Sequence, residues 1–117
     1  MMVNKITNYA EGQRLSVSQN VTADDVGRDA SGSPIVLDVQ NLKSQLAQLN
    51  VRIQSAAAGT TVTVYVETSD DATFATGVFT DEVLSINETA AVTSAKAYAT
   101  TGFAIKRRYL RVSYDHT

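Results

Sequence analysis

The side chains that could do chemistry are few: twelve carboxylates, ten lysines and arginines, one histidine and no cysteine in 117 residues. His116 stands near the chain end, where mobility is common. Neither a histidine-based triad nor a multi-histidine metal site is therefore expected. The lack of cysteine removes disulfides, thiolate zinc sites, iron–sulfur clusters and thiol nucleophiles. Carboxylates do occur in pairs, as Asp24-Asp25, Asp70-Asp71 and Asp81-Glu82. Glycosidic cleavage needs two carboxyls held across a cleft on rigid elements. Asp70-Asp71, however, fall in a turn signal, so these pairs read as turn-forming, solvated residues. Asp24, Asp25 and Asp29 share a loop that offers oxygens to calcium, yet the alternating Asp-x-Asp-x-Asp-Gly spacing is missing. Glycine-rich phosphate loops are also missing. No catalytic, cofactor-binding or metal-ligating residue is expected, and the chain does not read as an enzyme.

Positive charge gathers only at Lys106, Arg107 and Arg108, with Arg111 following. Such a cluster suits an acidic partner surface, or else a solvated turn between strands. A net charge of −2 argues against nucleic acid as the partner. No apolar run approaches the ~20 residues of a membrane helix, and the first residues do not read as a secretory signal. The sequons at Asn20 and Asn87 are accordingly read as chance matches.

At this length the elements that must position these groups form one domain. Residues 1–13 read as an extended N-terminal arm and residues 14–117 as an all-β domain. Alternation predicts a strand over 14–18, a loop over 24–34 around Gly27, Gly32 and Pro34, and a strand over 35–40. Val39, Leu42, Leu46, Leu49 and Ile53 recur at helical spacing, whereas Leu49, Val51 and Ile53 also alternate with polar residues. The reading adopted is a strand over 49–55 after a short helical turn within 42–48, with a two-heptad coiled coil as the alternative. The strongest element is residues 61–68, where three valines alternate with Thr, Tyr and Glu. Residues 69–72 then turn, and Phe74 and Phe79 flank Gly77 in a loop under the sheet. Further strands are expected at 82–87, at 95–105 with an interruption near Gly102, and at 108–114. Some seven short strands separated by turn signals describe a β-sandwich or jelly roll.

The run Thr68-Ser69-Asp70-Asp71, closing the valine strand and followed by Phe74, resembles tailed-phage capsid cement, or decoration, proteins of the Bordetella-podophage type. The later strand Arg108-Tyr109-Leu110-Arg111, completed by Tyr114, is similar to that family's Arg-Tyr-Leu-Arg strand, and Gly32-Ser33-Pro34 gives a looser match. The chain departs from the family pattern in lacking a Gly/Thr-rich hairpin after the Tyr strand and in carrying extra residues at 42–48. The resemblance implies a jelly-roll sandwich that sits as homotrimers on the outer surface of a virion head, assembled in the host cytoplasm. Its partner would be the phage major capsid protein, and it would use no cofactor, small-molecule substrate, membrane or nucleic acid.

Capsid contact is expected in the arm, at Asn4, Lys5, Ile6 and Tyr9, and at Lys106, Arg107 and Arg108. A phage tail or head–tail connector protein is the nearest alternative. A carbohydrate-binding sandwich is a further one, using Tyr65 and Tyr109 as an aromatic platform.

Overall fold

Val62, Val64 and Val66 alternate with polar strand formers, and the strand they predict is the centre of the molecule. The computed structural model describes residues 15–16 and 21–116. That part is all-β, with β1 (Asp25–Val26), β2 (Leu37–Asp38), β3 (Leu46–Ala47), β4 (Asn50–Ile53), β5 (Thr60–Ser69), β6 (Phe79–Glu88), β7 (Lys96–Ala99), β8 (Phe103–Ala104) and β9 (Tyr109–His116). A 3-10 turn spans Gln40–Leu42.

Among the described residues all pairing is antiparallel, and four of the pairs are nested. β2 pairs with β9, β3 with β8, β4 with β7, and β5 with β6. Every one of these rungs is centred close to Phe74, so the chain from Leu37 to Leu110 is one long double ribbon folded about that residue. The ribbon winds back on itself, and β5 also pairs with β9 over eight residues, from Val62↔His116 to Ser69↔Tyr109. The result is a β-sandwich. One layer is the sheet β1/β2–β9–β5–β6, and the other is the ribbon of β3/β4 against β7/β8. Val64, Val66, Val83, Ile86, Leu110 and Val112 face Ala47, Leu49, Phe103 and Ile105 across the core. Val64 and Leu110 are 0% exposed, and burial of such a side chain is worth roughly 1.5–3 kcal/mol.

Bulges stitch the layers together. Opposite Val64 and Tyr65 the register of β6 skips Val83; that residue is buried, and its carbonyl accepts the Thr101 N–H at 3.0 Å. Thr101 is itself spare, because Ala47 pairs with Phe103 while Thr100 N–H donates to the Leu49 carbonyl at 3.0 Å. The Thr100 hydroxyl takes the place of a ladder carbonyl, accepting the Leu49 N–H at 2.9 Å.

Several expectations are corrected. The segment 24–34 is not loop throughout. It holds β1, paired with β9, and a bridge of Arg28 to Pro34 around Gly32, whose φ is +88°. The strand expected over 35–40 shortens to Leu37–Asp38, because the chain turns into the 3-10 helix. That helical turn lies earlier than expected. Ser44 has a positive φ of 71°, which no helix tolerates, and β3 follows directly. Period two therefore wins over the coiled-coil stripe: Ala47, Leu49, Val51 and Ile53 turn inward, and Leu46 points to solvent. The interruption expected near Gly102 in the strand over 95–105 is present, with residues 100–102 separating β7 from β8. Of the strand predicted at 14–18, only Leu15 and Ser16 lie within the described residues, and Leu15 is buried in the core.

Candidate functional site

Of the residues that carry the family resemblance, Thr68 to Phe74 and Arg108 to Arg111 meet at one end of the sandwich, where β5 turns into β6 and β9 begins, whereas Tyr114 lies further along β9, opposite Val64. Thr68 is buried on the core face opposite Leu110, and Ser69, fully buried, pairs with Tyr109. The Ser69 hydroxyl donates to the Thr76 carbonyl at 2.7 Å and accepts the Asp71 N–H at 3.0 Å, tying both sides of the turn. Asp71 caps the turn from within. Its carboxylate accepts the Thr73 N–H and hydroxyl at 2.9 and 2.8 Å and the Ala75 N–H at 3.2 Å. These bonds hold its pKa below the ordinary carboxylate value. Phe74 adopts φ 56°, is buried, and lies 4.3 Å from the Arg111 guanidinium, which bonds Glu67 at 2.6 Å. Tyr114 is half-buried, and that burial pushes its phenol pKa up.

The basic cluster sits in the β8–β9 turn at the same end, and each cation has an acid beside it. Lys106 contacts Asp81 at 2.8 Å, Arg107 contacts Asp70 at 3.7 Å, and Arg108 contacts Asp38 at 2.9 Å. Asp70 also accepts the Arg108 backbone N–H at 3.1 Å, joining the two turns. Hydrogen bonding to Arg108 lowers the pKa of Asp38. Arg107 covers the exposed ring of Phe79 at 4.3 Å. Together with Asp70, Asp71, Thr76 and Gly77 these two residues border an open, shallow dish. A dish of this shape could seat a protruding side chain, but it presents no enclosed cleft for a reaction.

The other expected residues fall apart in space. Asn4, Lys5, Ile6 and Tyr9 lie outside the described residues. Tyr65 and Tyr109 occupy one face of the β5–β9 pair, yet Tyr109 is opposite Ser69. That puts the two tyrosines about 14 Å apart along the strands, with the Glu67–Arg111 pair between them, and they form no joint platform. In the acidic loop Asp25 pairs with Arg28 at 2.9 Å, while Asp29 caps its own turn through Ser31 and Ser33. Asp24 accepts the His116 N–H at 3.0 Å. Among the described residues no group of three or more acidic or histidine side chains is placed to hold a metal ion. His116, expected at a mobile end, is instead held in β9 opposite Val62.

Sequence reasoning missed Glu88. It is buried at the end of β6, where it accepts two bonds from Lys96, at 2.8 and 3.0 Å, and one from the Tyr98 hydroxyl. This cluster fastens the ribbon to the main sheet. Only its period-two spacing on β7, Lys96-x-Tyr98, hints at it in the sequence.

No protein-family model, curated protein or solved structure matches the chain.

Proposed function

We propose that the chain is a non-catalytic structural protein of a tailed-phage virion, decorating the outer surface of the head as homotrimers and stabilising the lattice of the major capsid protein. The observation that supports this most directly is the meeting of two sequence segments that resemble one family. Residues 68–74 and 108–114 lie some forty positions apart, yet they form one unit in which Ser69 pairs with Tyr109 and Arg111 lies between Glu67 and Phe74. A sandwich whose end turns are tied together by ion pairs, as Lys106, Arg107 and Arg108 are to Asp81, Asp70 and Asp38, is suited to a scaffold role. Repetition on a lattice lets a modest contact per subunit act three at a time.

Co-sedimentation with purified heads of the phage that encodes the chain tests this reading, together with light scattering for the mass of the free protein. Saturation near one trimer per local three-fold position is the expected result. Recovery with tail or portal fractions instead, in rings of six or twelve, would establish the connector alternative.

A further inference from the structure

Charge pairing divides the surface unevenly. Of the lysines and arginines among the described residues, Arg28, Lys96, Lys106, Arg107, Arg108 and Arg111 each have a carboxylate within ion-pair distance. Lys43, just after the 3-10 turn, and Arg52, in β4, have no such partner there. From residue 46 to residue 52 the chain alternates strictly, with Ala47, Leu49 and Val51 turned to the core. Leu46, Asn50 and Arg52 therefore face outward. Leu46 is 79% exposed, more than either of the other exposed large apolar side chains, Val78 and Phe79. The strand opposite contributes only small side chains to this face, with Ala104 across from Leu46, Ala99 from Asn50 and Ala97 from Arg52.

An exposed apolar side chain, Leu46, and a guanidinium with no carboxylate partner among the described residues, Arg52, thus lie on a face whose opposing strand positions are alanines. We infer that this outer ribbon face, rather than the Lys106–Arg108 turn, is the surface that seats on the head, and that it takes a carboxylate-bearing protein surface with a recess for Leu46. The inference rests on the decoration reading proposed above. Charge decides between the two candidates. The cations of the turn already have partners within the chain, so an outside acid would have to compete with Asp81, Asp70 and Asp38. Arg52 gains a partner without losing one.

The test is co-sedimentation with heads for the wild type, for Leu46→Asp/Arg52→Glu, and for Lys106→Gln/Arg107→Gln/Arg108→Gln. Melting temperature and oligomeric mass are measured on each. Both residues of the first variant point to solvent, so it should fold and keep the wild-type mass. It should bind heads about ten-fold more weakly or worse, while the single variant Arg52→Lys keeps most of the affinity and the triple glutamine variant stays within about two-fold of wild type. Unchanged binding by the first variant would overturn the inference and leave the decoration reading standing. Loss of its oligomeric mass would assign the face to contacts between copies, which also overturns it. A wild type that binds no heads would remove the decoration reading itself, and this inference with it.

Discussion

Arg111 stands directly opposite Glu67 on β9 and β5, its Nε 2.6 Å from the Glu67 carboxylate and its guanidinium 4.3 Å from the centre of the Phe74 ring. The cation thus joins the central pair of strands to the turn that reverses the chain. Both side chains of the ion pair are more than three-quarters buried, so the bond is stronger than a surface one. Glu67→Gln should cost about 1 kcal/mol. Arg111→Ala should cost about 2 kcal/mol, because it also removes the ring contact and the packing of its alkyl stem. Urea melts of the two single variants and the double variant would separate these terms, and a coupling near zero would mean that the pair adds nothing.

Gly27 is fixed by close approach. A Cβ at this position would come 1.8 Å from the Leu15 carbonyl oxygen and 2.6 Å from a Val112 methyl. The Gly27 N–H meanwhile donates to the Val112 carbonyl at 2.9 Å, so the backbone cannot retreat without losing a rung. Gly27→Ala should destabilise by about 3 kcal/mol. Gly32→Ala, where nothing stands within 4 Å but φ is +88°, should cost only about 1 kcal/mol. Thermal unfolding of both variants checks the order.

Thr100 separates hydroxyl from methyl cleanly. Its Oγ1 is the acceptor for the buried Leu49 N–H at 2.9 Å. Thr100→Val preserves shape and strands that donor, at a cost of about 1–3 kcal/mol. Thr100→Ser keeps the acceptor and should lose less. Amide exchange at Leu49 should accelerate in the valine variant alone.

Asp115 has a raised pKa because the neighbouring Asp24 carboxylate disfavours its charge. A raised carboxyl binds its proton more tightly in the folded chain than in the unfolded one. Its contribution is therefore present at low pH and is lost as pH rises from the unfolded pKa, near 3.9, through the folded one. Asp115→Asn should raise the melting temperature near pH 7 and leave it unchanged near pH 3. The lowered pKa values of Asp29, Asp38 and Asp71 act in the opposite sense, supporting the fold at neutral pH and weakening it in acid. A melting difference for the Asp115 variant that does not vary with pH would exclude the repulsion.

β5 and β9 were legible because sustained alternation leaves one answer, whereas β6, expected only over 82–87, begins at Phe79, which is exposed on the strand rather than packed in a loop under the sheet. The short strands were not legible. β1, β2 and β3 owe their conformation to partners in β8 and β9 about 60 to 90 positions away, which local pattern does not encode. Leu46 misled for a related reason. It completes a helical stripe in the sequence, yet in the fold its neighbours Ala47 and Leu49 take the core positions. At the candidate site the motif residues were visible, but their roles as fasteners of the turn were not. The neutrality of the Lys106–Arg108 turn was hidden in the same way, since Asp38, Asp70 and Asp81 become its neighbours only after folding.

Nesting the rungs about Phe74 also changes what sequence distance means for this chain. Contacts between Leu37 and Leu110 look long-range, and in an unstructured chain closing so large a loop is slow. Once the β5–β6 hairpin has closed, residues 54–59 and 89–95 are all that separate it from the next rung, and each later rung is set by short connections in the same manner. Assembly can therefore run as a zipper from the tip toward the ends, with each step closing a small loop. An insertion in the 70–78 turn should slow folding far more than an equal insertion between β2 and β3, because it delays the event on which every later pairing depends.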